Sequence, residues 1–176
     1  MNDIRPGDQL FATLLQAVES TTAPIVLVRD VMCPAPQVCR PEDSLERAAQ
    51  LMWEHACGSV AVVDHWDEPV AMLTDRDVCM AAYTQGRALF DLRVSSAMSK
   101  RLFTADVREP LADAERRMRC HAVGRLPVVG ADGRLVGLLS LSDIARRAHL
   151  AQSPGRDPLS ESSVAHTLAA TAHAQV

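Results

Sequence analysis

Two places in the chain set a hydroxyl and a carboxylate three residues apart, where an apolar run gives way to a polar, helix-forming one. They are Thr74 with Asp77 in "AMLTDRD" and Ser140 with Asp143 in "LVGLLSLSD". A hydroxyl at such a joint accepts a hydrogen bond from a free amide of the helix it opens. An acid at the third helical position favours the positive helix end, the pair together stabilising by about 1 kcal/mol. The same two groups can also do recognition chemistry. The carboxyl end of a strand meeting a helix N-terminus suits an anion such as a phosphate. A carboxylate one turn into the helix has only acceptors, so it can take both protons of a ribose diol. Capping alone and sugar-phosphate binding both fit the spacing, and a joint built twice at matching places raises the weight of the second.

The elements that must position these joints form an internal repeat. Val28 to Ala82 slides onto Val94 to Ala148 without a gap, 66 positions on. Met32 falls on Met98, Leu45 on Leu111, Met52 on Met118, His55 on His121, Gly58 on Gly124, Leu73 on Leu139 and Asp77 on Asp143. Matches on the same punctuation indicate a duplication. In each unit an amphipathic helix comes first, opened by Ser44 in one and by Pro110 in the other, with Gly58 suited to the first helix's end. Two short strands follow, "SVAVVD" and "VAMLT" in the first unit, "RLPVV" and "LVGLLS" in the second, joined by the polar turns "HWDEP" and "GADG". A second helix starts at each joint, giving β-α-β-β-α units of α/β class. A unit this small leaves apolar sheet surface in water, so the two are expected to pack through their sheets as a pseudo-twofold pair.

The ends differ in kind. The segment 1–24 carries "DQLFATLLQAVES", with Leu10, Leu14, Ala17 and Val18 at helical spacing, and an N-terminal helix is expected there. The first repeat is drawn over 25–86 and the second over 87–151. From 152 to 176 proline and small residues predominate, which indicates a flexible tail with a short helix possible near Val164 to Ala174.

Composition narrows the function classes. With 22 acidic against 18 basic residues the formal net charge is −4, so no basic footprint for nucleic acid or an anionic membrane is present. Five scattered cysteines, none spaced C-x-x-C, give neither a disulfide framework nor a zinc knuckle and fit a reducing cytoplasm. No run of 18 apolar residues and no basic-then-apolar start is found, so neither a membrane span nor a signal peptide is expected. His55 and His121 share a repeat position at a helix end, which suits the helix dipole better than a metal. Asp113 with Arg116 and Arg117, and Asp143 with Arg146 and Arg147, are spaced as solvated helix ion pairs. No catalytic constellation is legible, and no enzyme is expected.

The repeat resembles a known family, tandem cystathionine β-synthase (CBS) domains, the pair called a Bateman module. The likeness rests on "VMCPAPQVCRPEDSLERAAQLM", "GSVAVVD" and "AMLTDRD", and on "AMSKRLFTADVREPLADAERRM" and "GRLPVVGADGRLVGLLSLSD". It implies two clefts that hold AMP, ADP, ATP, S-adenosylmethionine or related adenosyl ligands. It also implies the hydroxyl role for Thr74 and Ser140 and the ribose-binding role for Asp77 and Asp143. Contacts are implied near Val38 and Thr104 and at Arg125 and Pro127, with Arg76 beside the first joint. A homodimer formed through the helices is implied too.

The two units depart from one another. Arg125 matches the family's phosphate-approaching basic residue, and Ser59 does not. Gly137 precedes the second joint where the first unit has Ala71, whose methyl would narrow that cleft, so Ser140 and Asp143 are favoured over Thr74 and Asp77. The resulting expectation is a cytoplasmic regulatory module that senses an adenosine nucleotide. The alternatives are a ligand-free protein-interaction or dimerisation module and, more remotely, a nucleic-acid binder.

Overall fold

The Ser44 hydroxyl accepts the Arg47 amide at 3.1 Å and opens helix α1 (Leu45–Glu54), whose Leu45, Ala48, Leu51 and Met52 turn one apolar stripe inward. Strands β3 (Ser59–Val63) and β4 (Pro69–Thr74) pair as an antiparallel hairpin. Its turn is tied by Asp64 Oδ1, which accepts the Trp66 and Glu68 amides at 2.9 and 3.0 Å. Thr74 caps helix α2 (Asp75–Gln85), and Gly86 ends it with φ at 61°. A two-residue strand β2 (Val38–Cys39) lies parallel to β3. The second unit repeats the order with β5 (Ala105–Asp106), α3 (Leu111–His121), β6 (Arg125–Val129), β7 (Leu135–Ser140) and α4 (Leu141–Leu150). Both hairpins carry a bulge at the same place, Val62/Val63 and Val128/Val129. The structure, a computed structural model, describes residues 25–150 with Ala165 and Leu168. The N-terminal helix expected within 1–24 lies outside those residues, as does most of the tail, in which Ala165 and Leu168 are helical.

The β-α-β-β-α reading holds twice, with two local differences. Pro110 stands at the N-cap of α3, one residue outside the first turn. The left-handed residues after the first helix of each unit are Ala56 and Ala122, with φ of 49° and 54°, and Gly58 is not among them. Gly58 is small for another reason: a Cβ there would come within 3.3 Å of Asp75 Oδ2.

The larger difference is an exchange between the units. Strand β1 (Cys33–Pro34) leaves the first unit and pairs antiparallel with Leu138 and Gly137 of β7. Its counterpart 66 positions on does the converse, the Ser99 amide donating to the Met72 carbonyl of β4 at 2.8 Å. The cores follow the exchange. Val28 is fully buried with Leu111, Leu126, Leu139 and Ile144 of the second unit. Leu92 and Val94 are buried with Leu45, Val60 and Leu73 of the first. Two bonds seal this arrangement symmetrically, Leu45 N to Leu92 O at 2.8 Å and Leu111 N to Val26 O at 2.9 Å. The division at 86/87 drawn from the sequence is therefore not the division of the cores.

Sheet packs on sheet as well. Val60 and Val62 of β3 enter the core beneath the helices, and the intervening Ala61 and Val63 are 0% and 1% exposed on the opposite face. Among the described residues no helix is long and apolar enough to cross a membrane.

Cys39 ends β2 inside the first core, and burial, with the nearby Asp43 charge adding, pushes its thiol up to about 12. Alkylation of the native chain at neutral pH is expected at the exposed Cys33, Cys79 and Cys120 and not at Cys39, which mass mapping would read. Because the folded thiol titrates above the unfolded one, its contribution to stability is complete below about pH 9 and is lost as pH rises toward 12. Cys39→Ala is expected to flatten that alkaline decline in thermal unfolding.

Candidate functional site

Both joints are capping boxes. Thr74 Oγ1 accepts the Asp77 amide at 3.2 Å, and Asp77 Oδ2 accepts the Thr74 amide at 2.9 Å and its hydroxyl at 2.6 Å. At the second joint Ser140 Oγ accepts the Asp143 amide at 3.2 Å. Asp143 Oδ2 takes the Ser140 amide at 3.0 Å and the Ser140 hydroxyl as well. The two carboxylates differ at their other oxygen. Asp143 Oδ1 receives Arg146 Nη2 at 3.2 Å, whereas Asp77 Oδ1 has no hydrogen-bond partner among the described residues. Met80 stands where the twin has Arg146, so α2 brings no guanidinium to Asp77. One oxygen of Asp77 holds the helix start, and the other keeps its acceptor capacity open.

A cavity of about 250 Å³ opens beside Thr74 and Asp77. The exchange builds its walls: Met72 comes from β4, Ser99, Arg101 and Phe103 from the segment that crosses from the second unit, and Val123, Gly124 and Arg125 from the entry to β6. Ser99 Oγ accepts the Met72 amide at 3.0 Å and donates to the Arg101 carbonyl at 3.1 Å, which fixes the turn that carries Arg101 to the rim. Phe103 is backed by His121, ring on ring at 3.8 Å and 9°. A flat aromatic supported from behind is a platform on which a base can stack.

Of the residues expected from the sequence, Thr74, Asp77 and Arg125 meet at this cavity. Ser140 and Asp143, which the sequence favoured, do not line it. The room beside Gly137 is occupied by Met32 Sδ and the Cys33 carbonyl, so that glycine accommodates the chain's own crossing segment, and Ala71 is fully buried in the first core. The contrast drawn between Gly137 and Ala71 thus concerns internal packing. Arg76 is exposed on the first turn of α2 and does not line the cavity. The Thr104 carbonyl accepts Arg117 Nη1 at 2.7 Å. Arg117 is held in turn by both oxygens of Glu109 at 2.7 and 3.1 Å, and not by Asp113 as its spacing suggested. Val38 lies on β2 opposite Ala61, 41% exposed, and Pro127 is buried on β6 opposite Leu138. Sequence reasoning missed Ser99 and Arg101, whose only signal was the 66-residue offset that equates Ser99 with Cys33. Among the described residues no three of His, Cys, Asp and Glu cluster as metal ligands would.

The family model for the CBS domain matches residues 28–83 and again 94–150, covering both units and both joints. This chain belongs to the CBS domain family. The CBS domain-containing protein YhcV of Bacillus subtilis is 35% identical over 118 residues, 67% of this chain and 82% of its own length. The CBS domain pair of protein MJ0100, solved in complex with 5'-methylthioadenosine and S-adenosyl-L-methionine, superposes with a TM-score of 0.63 at 25% identity, covering 70% of this chain and 96% of that one. CBSX2 in complex with AMP gives a TM-score of 0.61 at 27% identity, covering 70% and 96%. The chain spans 53% of the length of one curated relative it matches and 24% of another. The present pair carries its cavity at the joint of its first repeat.

Proposed function

We propose that this CBS pair is a regulatory, non-catalytic module of the cytoplasm that binds an adenosine nucleotide in the cleft beside Thr74 and Asp77. The observation that carries the reading is the Asp77 carboxylate at the cavity, with one oxygen in the helix cap and the other without a partner among the described residues. A ribose diol would donate to that free oxygen, the phosphate would meet the α2 N-terminus and Arg125, and the base would stack on Phe103. The AMP complex of CBSX2 and the adenosyl complexes of MJ0100 support the ligand class. Binding regulates by preferring one arrangement of the two repeats or of the segments around them, since a ligand shifts an equilibrium only by its differential affinity.

A thermal-shift series with adenosine, AMP, ADP, ATP and S-adenosylmethionine tests this. A ligand at a hundred times its Kd is expected to stabilise by about 2.7 kcal/mol, raising Tm by roughly 5–10 °C. Flat melts with all five at millimolar concentration would remove the nucleotide reading and leave an interaction module standing. One observation bears on that second reading: Trp53, Tyr83, Phe90 and Met80, on or just after the helices of the first repeat, are 88, 81, 64 and 47% exposed.

A further inference from the structure

We infer that the Thr74 cleft selects adenosine ligands bearing a di- or triphosphate and rejects those bearing a sulfonium cation. The inference rests on the reading of this cleft as the nucleotide site and names the ligand that reading leaves open. Two arginines line the cavity, Arg101 on the crossing segment and Arg125 at the start of β6. Both residues are exposed, and among the described residues neither has a carboxylate within 4.0 Å, while Arg40, Arg116, Arg117 and Arg146 each have one. A Cβ added to Gly58 would lie 3.6 Å from Arg125 Nη2 and 3.3 Å from Asp75 Oδ2, so Asp75 is the nearby acid outside the cavity lining. Inside the lining Asp77 is the acid.

The twin joint lacks this charge. Sixty-six positions earlier, Arg101 corresponds to Ala35 and Arg125 to Ser59, and the twin carboxylate is already paired with Arg146. The two joints share their cap and differ in the cations around it, and cations are what a phosphate chain needs. A guanidinium fork binds phosphate oxygens bidentately, and two forks from separate elements can engage successive phosphates, whereas a monophosphate satisfies one of them. A sulfonium brought beside the same groups meets like charge in a partly enclosed site, where screening is weaker than in water.

Calorimetric titration of the full chain with ATP, ADP, AMP and S-adenosylmethionine, at fixed ionic strength with a chelator present, reads the order of affinities. ATP is expected to bind at least about tenfold more tightly than AMP or S-adenosylmethionine, the scale of a charge-assisted bond gained. Arg101→Ala and Arg125→Ser, which install the twin's residues, are each expected to weaken ATP about tenfold and leave adenosine unchanged. The ligand series on the unaltered chain stands even if a variant fails to fold. AMP or S-adenosylmethionine binding as tightly as ATP overturns this inference and leaves the nucleotide site intact. Equal loss of adenosine and ATP affinity in the variants overturns it as well, because the arginines would then act on the cleft's shape. Silence toward every ligand removes the site and the inference together.

Discussion

Leu92→Ala is expected to destabilise the chain by about 2–5 kcal/mol, the range for truncating a buried leucine. By sequence position Leu92 belongs to the second repeat, six residues past the glycine that ends α2. In the fold it is 2% exposed within the first core, against Leu45, Leu51, Val60 and Leu73. Its carbonyl accepts the Leu45 amide at 2.8 Å, at the start of α1, so loss of packing there also loosens the helix that carries Trp53. Urea denaturation followed by tryptophan fluorescence reads the loss, since Trp53 and Trp66 both lie in the first repeat. A change below about 0.5 kcal/mol, the range of an ordinary surface substitution, would mean that the exchanged segment does not complete that core.

Asp77→Asn is expected to lower adenosine-nucleotide affinity by about 1.5–3 kcal/mol, or roughly ten- to 150-fold. The substitution keeps the shape and replaces one acceptor oxygen with a donor, so a carboxylate that could serve the cap and a diol at once can serve one of them. Some stability is lost too, about 0.5–1 kcal/mol for the weakened cap and the missing charge at the α2 N-terminus, which the ligand-free melt separates from binding. Asp143→Asn is the matched comparison. Its Oδ1 is already engaged by Arg146, and the affinity change there is expected to be small. An unchanged titration midpoint for Asp77→Asn refutes the assignment, and a larger loss at Asp143 moves the ligand to the second joint.

Much of this was legible in the chain itself. The 66-residue offset, the helical stripe from Leu45 to Met52, the two apolar runs joined by a polar turn at Asp64 and the hydroxyl-to-acid joints are all local patterns, with partners close in sequence. The capping boxes at Thr74 and Ser140 appeared where spacing put them, because a cap is decided by residues three apart. The preference between the joints was not legible. It was drawn from Gly137 against Ala71, whereas the differences the structure shows between the joints come from neighbours no local rule connects, Met32 filling the space at Gly137 and Arg146 reaching Asp143.

The sequence by itself determined the duplicated unit, its class and the two hydroxyl-to-acid corners. Tertiary structure alone decided that each unit lends its leading segment to the other, and so which corner receives Ser99, Arg101 and Arg125 beside an acid with an open oxygen. The reason is physical. The two-residue strand β1 carries too few hydrogen bonds and too little periodicity to announce its partner, which lies in β7 of the other unit, more than a hundred residues on.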